Sequence, residues 1–184
     1  MDKRSIRVVS GSMLMALVVA AGFATDDDEK QRADALAKAS ITLSEAVTRA
    51  EAKTGGKALE AELEVKKDQA FFEIETVKDG VVVEVKIDAK SGEVTSTEEE
   101  KDKKPSKEAE AIKTATVTLA GAIVQAEAAA GGRAVEAELE GEKDQAVFEV
   151  GVLKDGVKIE VKIDPVSGKV LKVEKEEEDK EEKK

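Results

Sequence analysis

Residues 59–65 read Leu-Glu-Ala-Glu-Leu-Glu-Val, and residues 135–141 read Val-Glu-Ala-Glu-Leu-Glu-Gly. Apolar and acidic residues alternate strictly. That is the period of a β-strand with one face packed and one face acidic. Working outward, residues 41–100 align without a gap to residues 117–176, with 34 of 60 pairs identical, so the chain holds two copies of one module.

Each copy opens on a predicted amphipathic helix. Thr42 is placed to cap it, Glu45 completes a capping box and Ile41 staples onto Ala46, ahead of a stripe of Leu43, Ala46, Val47 and Ala50. The second copy repeats the stripe as Leu119, Ala122, Ile123 and Ala126 behind Thr118, but Gly121 replaces the box glutamate, so this helix starts more weakly. Gly55-Gly56 and Gly131-Gly132 end the helices.

Three strands follow. The quoted alternation is the first. The second turns Phe72 and Ile74, or Phe148 and Val150, inward and Glu73 or Glu149 outward. Asp79-Gly80 and Asp155-Gly156 predict tight hairpin turns, and the third strand runs inward through Val81, Val83, Val85 and Ile87, or Val157, Ile159, Val161 and Ile163. Asp88 and Asp164 are placed to accept backbone N–H bonds, and Gly92 and Gly168 to supply positive φ, before a last short extended segment at Val94 or Val170.

The expected fold is therefore α+β: two tandem α-β-β-β lobes, each a helix packed on a three-stranded antiparallel sheet whose other face meets water. One such module is small, and the sequence leaves open whether the two support each other or a partner supports them. The organisation expected is a signal peptide at 1–24, a first repeat at 30–97, a charged linker at 98–106 within the polar stretch 95–107, a second repeat at 107–174 and a charged disordered tail at 175–184. Ala/Lys/Glu-rich segments at 30–40 and 106–116 can add helical turns ahead of each main helix.

The leader rests on Lys3, Arg4 and Arg7 before the apolar run Met13–Ala21, with Gly22 and Ala24 at the −3 and −1 positions of a cleavage site. The run is short of the roughly 20 residues that span a bilayer, which favours cleavage over a retained anchor and predicts a periplasmic or secreted protein with no stable membrane span.

Composition excludes much. There is no His, Cys, Trp or Tyr, which removes the usual general base, the thiolate nucleophile and the preferred transition-metal ligands. A net charge of −11 argues against a nucleic-acid partner. No catalytic constellation, phosphate-cradling loop or metal-ligand spacing stands out, so no enzyme, cofactor or metal is expected. The carboxylate rows Glu60-Glu62-Glu64 and Glu136-Glu138-Glu140 leave weak divalent-cation buffering as an alternative, but flat rows lack the wrapped oxygen shell of a specific calcium site.

The helix starts Ile41–Ala46 and Val117–Leu119, with Ile87-Asp88-Ala89-Lys90-Ser91-Gly92-Glu93-Val94 and Ile163-Asp164-Pro165-Val166-Ser167-Gly168-Lys169-Val170, resemble the PepSY domain, over both repeats. The resemblance implies a domain of metallopeptidase propeptides and bacterial envelope proteins that restrains peptidase activity and carries no catalytic set. Without an attached protease only action in trans remains, on a protein partner for which an exported peptidase is one candidate. Phe71 on the outward face of its strand, with Val147 at the matching position, is the candidate partner contact. Asp79, Gly80, Asp88, Gly92, Asp155, Gly156, Asp164 and Gly168 read as structural turn residues.

Overall fold

The computed structural model describes residues 26–67, 69–100, 107–142 and 145–175; the proposed leader, most of the proposed linker and nearly all of the proposed tail lie outside them. The first copy runs α1 (Asp26–Lys38), α2 (Leu43–Thr54), β1 (Lys57–Lys66), β2 (Gln69–Lys78), β3 (Val81–Asp88) and β4 (Val94–Glu99). The second runs α3 (Lys107–Ala111), α4 (Leu119–Ala130), β5 (Arg133–Glu142), β6 (Gln145–Lys154), β7 (Val157–Ile163) and β8 (Val170–Lys175).

The α+β class holds, but the strands do not divide into two three-stranded lobes. All eight form one antiparallel sheet in the order β4-β3-β2-β1-β5-β6-β7-β8. Each copy gains a fourth strand, and β4 takes in Thr95–Glu99, whose composition reads as linker. A polar segment can be a strand at a sheet edge because main-chain hydrogen bonds to one neighbour suffice and its side chains stay in water.

The copies join where β1 pairs β5 through Glu60↔Glu138, Ala61↔Ala137 and Glu62↔Glu136. Ala137 is the repeat counterpart of Ala61, so the seam lies on a local two-fold axis. On one face of the sheet α2 and α4 pack side by side, burying Leu43, Ala46, Val47 and Ala50, and Leu119, Ala122, Ile123 and Ala126, over Leu63, Phe72, Ile74, Leu139, Phe148 and Val150. One apolar core thus runs through both copies, which is how two small modules bury enough surface.

The local signals work as chemistry requires. Glu45 N donates to Thr42 Oγ1 at 3.2 Å and Thr42 N to Glu45 Oε2 at 2.8 Å, the full capping box. In α4 only the first half remains, Gly121 N to Thr118 Oγ1 at 3.1 Å. Gly55 and Gly131 close the helices at φ 68° and 74°, and a Cβ on Gly132 would stand 2.4 Å from the Leu153 carbonyl oxygen, so the second glycine of that pair serves close approach to the sheet.

Two details depart from simple alternation. A bulge between Ala58 and Glu60, matched between Ala134 and Glu136, buries two successive residues in each copy, Ala58 with Leu59 and Ala134 with Val135. Val81, expected inward, is 45% exposed beside the Asp79-Gly80 turn, while its neighbour Val82, paired with Val77, is buried. Val157 at the matching turn is likewise exposed.

The leading segments α1 and α3 cross the seam. Arg133 Nη1 donates to the Leu36 carbonyl at 2.5 Å, and Lys57 Nζ to the Ile112 carbonyl at 3.0 Å, symmetry-related contacts from each copy to the other. Leu36 and Ile112 are buried. Among the described residues, no helix is long and apolar enough to cross a membrane.

Candidate functional site

The sheet face opposite α2 and α4 is built by the alternation that opened the sequence. Glu60, Glu62 and Glu64 on β1, Glu73 and Glu75 on β2, and Glu84 on β3 share it with Glu136, Glu138 and Glu140 on β5, Glu149 on β6 and Glu160 on β7. Neighbouring carboxylates at such spacing repel, so the few cations among them set the local chemistry.

Lys86 spans Glu73 and Glu84 at 3.0 and 2.9 Å, and its counterpart Lys162 spans Glu149 and Glu160 at 2.7 and 3.4 Å. Both ammonium groups titrate higher than usual. For Lys86 the carboxylate hydrogen bonds outweigh burial, and for Lys162 the bond to Glu149 leads. At the seam Arg32 reaches from α1 to Glu62 and, at 2.7 Å, to Glu136, and its pKa rises because the two carboxylates more than offset its burial. Lys158 also pairs with Glu136; a Cβ on Gly151 would stand 2.7 Å from Glu136 Cγ and 2.8 Å from Lys158 Cε, so glycine makes room for that ion pair.

The repeats differ in their charge around β1–β2 and its counterpart. In the first copy the half-buried Phe71 ring lies under two ammonium groups, Lys66 at 5.3 Å and Lys86 at 5.7 Å, and Lys66 also pairs with Glu64 at 3.2 Å. In the second copy Val147 replaces the ring and is only 7% exposed, leaving it little surface to offer. There Glu138, Glu140 and Glu149 bring carboxylate oxygens within 4.8 Å of one another. Desolvation, then the charges of Glu149 and Glu138, push Glu140 up to about 7, whereas Lys162 holds Glu149 below the usual range against its own burial. Glu138 and Glu62 also rise, chiefly through desolvation.

The turn residues lie at the sheet ends. Asp79-Gly80 and Asp155-Gly156 all have positive φ, between 51° and 81°, as a type I′ hairpin turn needs. Asp88 Oδ1 accepts from Ser91 N at 2.7 Å and Lys90 N at 3.1 Å, and Asp164 Oδ1 from Ser167 Oγ at 2.7 Å, Ser167 N at 2.5 Å and Val166 N at 3.2 Å; these bonds lower both carboxyls, led by the Ser91 N–H for Asp88 and the Ser167 hydroxyl for Asp164. Gly92 and Gly168 follow at φ 72°. Each turn also docks the start of its helix. Ser40 N donates to the Ala89 carbonyl and Arg49 Nη1 to the Gly92 carbonyl at 2.6 Å, while Thr116 and Val117 N–H groups share the Pro165 carbonyl. Beside the first turn a cavity of about 660 Å³ opens between α1 and the β1–β2 end, lined by Gln31, Asp34, Lys38, Val65, Gln69 and Lys90.

Of the turn residues, Asp88 stands directly across from Phe71 in the β2–β3 pairing, whereas Asp79-Gly80 lies at the other end of that hairpin and Asp155, Gly156, Asp164 and Gly168 belong to the second copy, so the set as a whole does not form one site. Arg32 was not singled out from sequence; its repeat counterpart is Glu108, one of several charge reversals between the copies, so the sequence alone does not mark it.

The profile of the family described as "Peptidase propeptide and YPEB domain" matches residues 40–98 and 108–174. No match was found among curated proteins. A crystal structure of a "putative lipoprotein" from Clostridium difficile 630 is 23% identical over 75% of this chain and 95% of that one, with a TM-score of 0.45. With the family matched separately over each repeat and across most of the length, the chain belongs to the PepSY family and carries two tandem copies of its domain.

Proposed function

We propose that this is an exported, non-catalytic binding module, periplasmic or secreted, that regulates an exported peptidase or another envelope protein in trans. The basic stretch and short apolar run at 3–21 support export. Family membership, in a domain named for peptidase propeptides, supports the class of partner. The observation that carries the reading is Phe71, a half-buried aromatic ring held between Lys66 and Lys86 on a carboxylate face that α2 and α4 leave uncovered. Such an apolar island within charge suits a partner segment presenting an apolar side chain among basic ones.

The test is a titration of secreted metallopeptidases with the purified protein. Peptidase rates should fall on binding, and Phe71→Glu should weaken the effect about tenfold, the scale of an interface anchor, with an unchanged circular dichroism spectrum. Unchanged rates for every peptidase, together with no captured envelope protein, reject the reading. The alternative, a structural or weakly cation-binding envelope protein, is favoured by the Glu138-Glu140-Glu149 group alone. Calcium titration calorimetry on wild type and Glu140→Gln tests it.

A further inference from the structure

The two ends of the sheet are unlike. At β4 the edge reads Val94-Thr95-Ser96-Thr97-Glu98-Glu99, polar after its first residue and therefore blunted against pairing. At β8 it reads Val170-Leu171-Lys172-Val173-Glu174-Lys175, and Leu171 and Val173 are 60% and 48% exposed. An open edge strand offers a row of main-chain donors and acceptors to any strand that fits its side chains.

The charges on β8 say what fits. Across β7, Lys172 stands opposite Lys162 and Glu174 opposite Glu160, like against like, and Lys172 turns along its own strand to Glu174 at 2.5 Å. Like charges directly opposite are unfavourable in an antiparallel pair. The triplet Lys172-Val173-Glu174 is, however, self-complementary. Laid antiparallel on a second β8 with Val173 opposite Val173, each lysine meets the other copy's glutamate and the two valines meet at the axis. The same operation on β4 sets Thr97 against Thr97 and Ser96 against Glu98, with no ion pair and no apolar contact.

We propose that β8 is the contact through which two copies of this chain pair, antiparallel about Val173, into one continuous sheet. A single strand edge buries little surface, so the dimer is weak and concentration-dependent, forming between about 10 µM and 1 mM.

Sedimentation of the full chain across that range should show a monomer–dimer equilibrium. Lys172→Glu should raise its dissociation constant about tenfold, since two symmetric ion pairs become repulsive, while thermal stability stays equal or rises because the introduced carboxylate would then face Lys162. Adding Glu174→Lys should restore dimerisation. The chain has no cysteine, so Val173→Cys supplies a unique thiol; it should oxidise to a covalent dimer far faster than Thr97→Cys, its counterpart on β4. A monomer throughout the range, a dimer indifferent to Lys172→Glu, or equal cross-linking at Val173→Cys and Thr97→Cys overturns the proposal, the first outcome leaving the edge to an extended segment of another protein.

Discussion

Glu64 and Glu140 hold the same place in their repeats and live in different electrostatic company. Glu64 has Lys66 at 3.2 Å, whereas the sequence sets Glu142 where Lys66 would be, and Glu140 is left facing Glu149 and Glu138. Its folded pKa of about 7 lies above the ordinary value of 4.5, so the folded chain takes up a proton before the unfolded chain does. The stability from this linkage is complete below about 4.5 and is lost as pH rises through about 7. Asp88 and Asp164 act in the opposite sense, their contribution falling away as acid protonates them below the usual aspartate range. Thermal midpoints measured from pH 8 downward should therefore climb to a maximum near about 5 and fall again in stronger acid. Glu140→Gln should flatten the upper limb and leave the acid limb in place. Strict alternation revealed which glutamates share that face, and the two-residue hairpin turns set Lys86 across from Glu73 and Lys162 across from Glu149; the reach of Arg32 from α1 to Glu136 joins segments far apart in sequence, and a chain read linearly does not give it.

Among the elements, α4 departs from its twin α2 at its first turn. Without a glutamate at the third helical position the Thr118 backbone N–H lacks the reciprocal bond that Thr42 receives from Glu45. Gly121→Glu should stabilise the protein by about 1 kcal/mol, combining helix propensity with a completed capping box, as a shift in denaturation midpoint would show. A Cβ at this position meets Thr118 Oγ1 at 3.3 Å, tight but matched by the arrangement Glu45 already adopts in α2. Caps, glycine pairs and Asp-Gly hairpins were legible because each is settled within a few residues. The bulge at Leu59 and the exposure of Val81 were not, since both depend on how β1 and β3 register against β2. The fourth strands were visible only as Val94 and Val170; β4 is a polar edge strand with no periodicity to announce it, whereas β8 does alternate through Leu171-Lys172-Val173-Glu174 but runs straight into a charged stretch that masks it.

For the whole molecule, repetition predicted two bodies and packing made one. The seam is three residue pairs long, yet α2 against α4 and the crossed contacts Arg133–Leu36 and Lys57–Ile112 hold the halves on both sides of it. Cutting the chain within residues 101–106 should leave the halves together at about 100 µM and separate them on dilution, because the intact linker replaces association with a local concentration in the millimolar range. Gel filtration of a variant with a protease site there would show this; halves that part at once at every concentration would assign the stability to each repeat alone. The pairing of Ala61 with its own counterpart has a historical consequence. Two identical chains meeting on such an axis must change both ends of the assembly with every mutation. Once the two are fused, a substitution strikes one end only, and Arg32 against Glu108, Lys66 against Glu142, Phe71 against Val147 and Glu75 against Gly151 are the record of that freedom. Each half can therefore change its own surface without a matching change in the other, while the shared seam at Ala61 and Ala137 still ties both into one sheet.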